Sequence, residues 1–165
     1  MTSPSTSSLT TPAPGTGHGR RIGIVAAQWH ADIVETLMAG AIDTLRSAGV
    51  AESDIVIARV PGSYEIPVAA AAMIASQHVD AVITLGVIVR GETAHFEYVA
   101  SPVAHALMDL SVQSGVPCMF GVLTTETIEQ AWERTGGIHG HKGRESAAGA
   151  LDLAATLTRL RTTKP

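Results

Sequence analysis

Cysteine is nearly absent. The 165-residue chain has one, Cys118, so no intrachain disulfide can form and no all-cysteine metal site can be built. Aromatic residues are scarce at 4%, which makes each a candidate for a specific task. Charge is also sparse: 16% of residues are Asp, Glu, Lys or Arg, and 11 basic against 15 acidic side chains leave a formal net charge of -4. A general phosphate-binding surface wants a strong basic excess, so no nucleic-acid partner is expected. No apolar run reaches the ~18–20 residues of a membrane span. The longest stretches are broken by Asp80, Thr84 or Arg90, and no membrane association is expected. The first residues lack the basic-then-apolar pattern of a secretory signal, so the expectation is a cytoplasmic protein. What the chain does have is 45% hydrophobic residues and a mean hydropathy of +0.24, which is apolar for a small monomer.

Residues 1–19 stand apart. Fifteen of the nineteen are Ser, Thr, Pro or Gly and none is charged. Such a segment cannot offset its ordering entropy by burial, which predicts a flexible N-terminal tail over 1–19 and a single domain over 20–165. From Arg20 onward, strand and helix patterns alternate. Arg21–Ala27, Asp54–Val60, Asp80–Val89 and Pro117–Leu123 are short apolar runs that read as buried strands. Between them lie a helix carrying Ile33, Val34, Leu37, Ala41 and Leu45 on one stripe and closed by Gly49, and a helix over Glu65–Gln77 with Pro67 in its first turn. A third helix is expected to open at Ser101-Pro102 and to end at Gly115. A short helix over Glu126–Arg134, closed by Gly136, and a last one over Lys142–Leu160 follow. Strands buried on both faces and alternating with helices predict an α/β fold: a three-layer, doubly wound, four-stranded parallel sheet flanked by helices. Ligands in such sheets sit beyond the carboxyl ends of the strands.

The residues at those ends carry the chemistry. Gly91, Glu92 and Thr93 offer backbone N–H groups and a hydroxyl suited to a small anion nest, and His95 follows at a distance suited to proton transfer. The same residues also fit a plain strand-to-helix turn. Ser63 and Glu65, in Pro61-Gly62-Ser63-Tyr64-Glu65, could face a polyhydroxylated ligand or simply start a helix. Trp29 could stack on a flat heterocycle or cap the sheet edge. His139 and His141 lack a nearby acidic or sulfur ligand, and no metal is expected.

Taken in order, VPGSYEIP at 60–67, LGVIVRGETAHFEYV at 85–99, FGVLTTETIEQAWERTG at 120–136 and HKGRESAAGAL at 141–151 resemble the lumazine synthase family of riboflavin biosynthesis, over essentially all of 20–160. The resemblance implies a flavodoxin-like fold and a transferase. The implied reaction condenses 5-amino-6-(D-ribitylamino)uracil with 3,4-dihydroxy-2-butanone 4-phosphate to give 6,7-dimethyl-8-ribityllumazine, phosphate and water. No metal or organic cofactor is implied. On this resemblance Trp29 takes the position of an aromatic that stacks on the pyrimidine. Ser63, Tyr64 and Glu65 match the turn holding the ribityl chain. Val87, Ile88 and Val89 match the strand end that meets the uracil edge. Gly91, Glu92 and Thr93 match a phosphate loop, with the Glu92 backbone N–H facing the phosphate. His95 matches the proton-transfer residue. Phe120 and Arg134 match residues given by a neighbouring subunit, Arg134 to the phosphate, and Lys142 matches a lysine near the ligand. The catalytic pair is then His95 and Arg134.

The resemblance also implies self-association as a homopentamer with active sites at subunit interfaces. It leaves a sixty-subunit icosahedral capsid and a riboflavin synthase partner open. The Gln28-Trp29-His30-Ala31-Asp32-Ile33-Val34 opening resembles a divergent, decameric branch of the family, whereas Arg90–His95 resembles the ordinary branch. Two rival readings remain at this level: a flavin or lumazine carrier without turnover, and a mainly structural shell protein.

Overall fold

A computed structural model describes residues 11–163. Its main sheet has four parallel strands, β1 (Ile22–Ala27), β2 (Ile55–Val60), β3 (Ala81–Val89) and β4 (Cys118–Thr125), in the order β2-β1-β3-β4. Helices α1 (Ala31–Ser47), α2 (Ile66–Gln77), α3 (His95–Ser114), α4 (Ile128–Trp132) and α5 (Lys142–Thr162) connect and cover the strands. A small antiparallel pair, β5 (Thr135–Gly137) and β6 (Gly140–His141), precedes α5. This is the α/β, flavodoxin-like architecture expected from the sequence.

Side chains alternate across each strand, so the sheet feeds two cores. Ile22, Ile24, Ala26, Ile83 and Leu85 pack with Leu37, Leu45 and Leu151 of α1 and α5. Val25, Ala27, Val82 and Val122 pack on the other face with Ile66 and Ala70 of α2 and Val103 and Leu107 of α3. The sheet moves one way from β1 to β2 and the other way from β2 through β3 to β4, and right-handed crossovers therefore put α1 opposite α2 and α3. Helix α1 stops as its composition predicts. Gly49 takes φ 94°, its N–H donates to the Arg46 carbonyl, and the Val50 N–H donates to the Leu45 carbonyl.

Three expectations need correction. Helix α3 does not open at Ser101-Pro102. It begins six residues earlier, at His95, and Pro102 lies inside it. A proline removes one backbone N–H and is not by itself a start signal; here the helix runs through it. Strand β4 continues to Thr125, two residues beyond the expected end, because it pairs with β3 up to Val89. The short helix is confined to Ile128–Trp132, with Thr127 Oγ1 accepting the Gln130 N–H at 3.3 Å, and Gly136 lies in β5 rather than closing that helix.

Of the flexible tail expected over 1–19, residues 1–10 lie outside the described residues. Residues 11–19 are described. Gly17 is buried there, and its N–H donates to the Ala48 carbonyl at 2.9 Å. Among the described residues no helix is long and apolar enough to cross a membrane.

Candidate active site

The carboxyl ends of β1, β2, β3 and β4 fall on one edge of the sheet, and the direction of winding changes between β1 and β3. The last β1–β3 pair is Ala26 with Leu85, so β3 runs four residues farther and stands as a wall beyond the end of β1. A cleft of about 500 Å³ opens there. It is the place where doubly wound sheets bind ligands.

One side of the cleft is made by the turns that leave β1 and β2. The Trp29 N–H donates to the Pro61 carbonyl at 3.1 Å, tying the two turns together. The indole then lies over Gly62, where a Cβ would sit 2.7 Å from the ring. Glycine at 62 is therefore required for the close approach. Trp29 remains 67% exposed and presents its ring toward the opening. His30, next along, has φ 56° and starts α1.

The second side comes from Ser63, Tyr64 and Glu65, which form a single tight helical turn ahead of α2. One Glu65 oxygen accepts the Gly62 N–H at 2.9 Å, which holds the turn. Ser63 is 5% exposed, and its Oγ is buried without a hydrogen-bond partner. The hydroxyl packs against Gly86 of β3, where a side chain would collide with it. A buried hydroxyl left unpaired costs about 1–3 kcal/mol, so a ligand atom that pairs with it gains in selectivity.

The floor is the Val87-Ile88-Val89 end of β3, and the far wall is the first turns of α3 with His95, Tyr98 and Val99. Gly91, Glu92 and Thr93 lie exposed between β3 and α3. A Cβ at Gly91 would meet nothing within 4 Å, so nothing in this chain itself demands glycine there. The His95 N–H reaches Thr93 Oγ1 at 3.4 Å.

Thus Trp29, Ser63, Tyr64, Glu65, Val87, Ile88, Val89 and His95 are brought to one cleft. Phe120, Arg134 and Lys142 are not. Phe120 is in register with Thr84, three residues short of the Val87 floor, and is exposed on the edge strand β4. Arg134 donates to the Gln130 carbonyl at 2.6 Å, and Lys142 pairs with Glu145 at 2.5 Å. The two residues are joined through the backbone, because the Lys142 N–H donates to the Arg134 carbonyl across the foot of the β5–β6 hairpin. His139 pairs with Glu133 at 3.5 Å, and His141 caps α5. Among the described residues no group of three or more His, Cys, Asp or Glu is placed to hold a metal. Cys118 is half-buried in β4, and burial pushes its thiol pKa up, which fits packing and not nucleophilic chemistry.

His30, Tyr98 and Val99 line the cleft without having been singled out as binding residues. Tyr98 follows His95 by three positions, which is one helical face once the helix is known to start at 95.

Comparison with known proteins matches residues 19–158 to the family described as 6,7-dimethyl-8-ribityllumazine synthase. A protein of that name from Porphyromonas gingivalis is 49% identical over 138 residues, covering 84% of this chain and 86% of the relative. Another from Aquifex aeolicus is 47% identical over 146 residues, covering 88% of this chain and 95% of the relative.

Proposed function

The chain belongs to the 6,7-dimethyl-8-ribityllumazine synthase family, and from that premise we propose how its cleft carries out the family's condensation. The protein is a transferase of riboflavin biosynthesis that joins 5-amino-6-(D-ribitylamino)uracil to 3,4-dihydroxy-2-butanone 4-phosphate. The carrying observation is that three separate motif segments, at 63–65, 87–89 and 95–99, together with Trp29, converge on one cleft of about 500 Å³ at the switch point of the sheet.

The pyrimidine lies against the Trp29 ring with its polar edge on the Val87–Val89 backbone. Its ribityl chain runs toward Ser63 and Glu65, where the unpaired Ser63 Oγ and the free Glu65 oxygen take hydroxyl partners. The 5-amino group attacks the ketone of the second substrate, and loss of one water gives an imine. Phosphate then leaves by elimination, the enol tautomerises, and attack of the ribitylamino nitrogen on the new carbonyl closes the ring with loss of a second water. Every step moves a proton, and His95 at the cleft wall is placed to relay them. No covalent nucleophile is required. Much of the rate gain comes from holding two reactants in attacking geometry.

The leaving phosphate sits at the exposed Gly91–Thr93 turn, on its backbone N–H groups. Its cationic partner is Arg134 of a neighbouring copy, accompanied by Lys142, because both lie away from the cleft of their own chain and are joined through one backbone hydrogen bond. Phe120 of that neighbour closes the apolar side. The family works as oligomers on small molecules. A homopentamer is the assembly we favour here, and the apolar groove of about 410 Å³ between α2 and α3, with Val68 exposed on its rim, supports burial of that side between copies. The site lies in a cytoplasmic enzyme that needs no metal or organic cofactor.

Incubating the purified chain with both substrates and following lumazine absorbance tests this reading. Product formation dependent on both substrates supports it. Tight binding of lumazine or flavin without turnover would instead make the chain a carrier.

A further inference from the structure

Arg90 is the first residue beyond β3, and its backbone N–H still pairs with the Thr125 carbonyl at 2.9 Å. Its guanidinium turns across two other segments. Nη1 is paired with the Glu97 carboxylate in the first turn of α3. Nε meets the Glu126 carboxylate just past β4, at 2.8 Å to Oε2 and 3.1 Å to Oε1. The guanidinium carbon lies 4.2 Å from the centre of the Phe96 ring. A planar guanidinium can hold two carboxylates with its edge while its face stacks on an aromatic ring, a geometry that a compact ammonium does not reproduce.

Phe96, Val99 and Ala100 pack this turn on the core beneath it, but little polar contact other than that of Arg90 fixes it. The helix has no side-chain cap at its N-terminus, and the His95-to-Thr93 hydrogen bond is long. Yet this turn carries His95 and Tyr98 into the cleft. Phe96 and Glu97, two of the three residues that Arg90 grips, follow His95 directly.

We propose that Arg90 is a positioning residue for the condensation: by gripping Glu97 and Glu126 against Phe96, it fixes the first turn of α3 and so holds His95 over the Val87–Val89 floor. The proposal rests on reading the cleft as the condensation site. The rival role for a guanidinium beside an anionic substrate is direct attraction of the phosphate. The two roles part when the carboxylates are neutralised. If Arg90 positions, Glu97→Gln with Glu126→Gln weakens the grip and lowers kcat. If Arg90 attracts, the same change frees a cation, KM for the butanone phosphate falls and kcat holds.

The test uses the full chain with both substrates. Arg90→Ala is expected to lower kcat about tenfold, the order of loss that small misplacement of a catalytic group produces, while KM for the butanone phosphate changes less. Arg90→Lys recovers little of it. The Glu97→Gln, Glu126→Gln pair moves kcat in the same direction, and adding Arg90→Ala to that pair causes no further loss, because all three act through one contact. An unchanged kcat in folded Arg90→Ala, additive losses, or a lower KM with intact kcat in the carboxylate pair overturns the proposal. Hydrogen exchange gives a readout independent of turnover. The Glu97 and Tyr98 amides pair with the Ala94 carbonyl and should exchange faster in Arg90→Ala, with β3 unaffected; unaltered exchange there rejects the grip itself. A wild-type chain that makes no lumazine would sink the condensation reading, and exchange at 97 and 98 would still judge the grip.

Discussion

Among the described residues, His95 and His30 are the imidazoles on the cleft wall, and His95 stands just past the exposed 91–93 segment. Replacing it with alanine is expected to lower kcat about tenfold or more, within or toward the ~10²–10⁴ range of general acid–base effects, with an unchanged circular dichroism spectrum. A folded His95→Ala enzyme with undiminished kcat would take His95 out of the chemistry. Part of the cleft was legible at this scale: Trp29, Ser63, Glu65 and His95 stand at strand ends, whereas Tyr64 and the Val87–Val89 strand end were marked only by the family resemblance. What was not legible has physical causes. The left-handed backbone of His30 leaves no mark on residue type, since histidine takes that region only occasionally. Tyr98 and Val99 precede the Ser101-Pro102 helix start that the sequence suggests, and outside a helix a three-residue spacing implies no common face. The unpaired state of Ser63 Oγ depends on the Gly86 backbone approaching from another strand.

The helices show the same division between local and long-range information. Gly49 and Gly115 close their helices with φ 94° and 69°, as a residue without Cβ permits at no steric cost. Pro102 misleads because its position among neighbours, and not its own ring, decides whether it starts a helix or interrupts one. The β5–β6 pair was missed because strands of three and two residues, mostly glycine, carry no alternation to read. Its neighbour α5 yields a prediction of its own. His141 caps that helix through Nδ1, which accepts the Arg144 N–H at 3.3 Å, and its ring is pressed on Gly40 of α1. Burial, then the Arg144 charge, push its pKa below the ordinary 6.5, against opposing pulls from its own backbone hydrogen bond, Glu145 and Asp43. The folded chain therefore binds this proton less readily than the unfolded chain. Its stabilisation is whole above about pH 6.5 and is lost as pH falls through the lower folded value. His141→Asn keeps a capping acceptor that does not titrate. Its urea midpoint should fall less between pH 7.5 and pH 5 than that of the wild type. His141→Ala should cost about 1 kcal/mol at neutral pH, the usual value of a lost cap. Equal pH dependence in all three chains would show that the cap does not titrate.

At the scale of the whole molecule, taking the phosphate's cation from a neighbouring copy, as proposed, would make one chain an incomplete enzyme. Mixing chains carrying His95→Ala with chains carrying Arg134→Ala, then reassembling them, should restore activity at about one site in four, since each shared site draws one residue from each of two copies. No recovery in mixed oligomers would mean that sites are not shared. Native mass near 85 kDa, five times the 17.1 kDa chain, would establish the pentamer; about 170 kDa a decamer, and about 1 MDa the sixty-subunit shell. That the sheet is parallel and doubly wound was readable from the alternation of buried strands and helices, whereas the strand order β2-β1-β3-β4 was not, and the exposed apolar Val68, Met108 and Val112 lie on helices whose inner faces are also apolar, so the sequence pattern does not single them out. The two-faced core has one more consequence, in the order of synthesis. The face covered by α2 and α3 has all its buried residues by Val122, but the opposite face needs Leu151 and Ala150 from α5. At roughly 5–20 residues per second, a growing chain holds that second face only partly covered for a matter of seconds after the first can close. During that interval Ile22, Ile24, Ile83 and Leu85 have only α1 to shelter them, so the nascent chain is most exposed to misassembly on the α5 side.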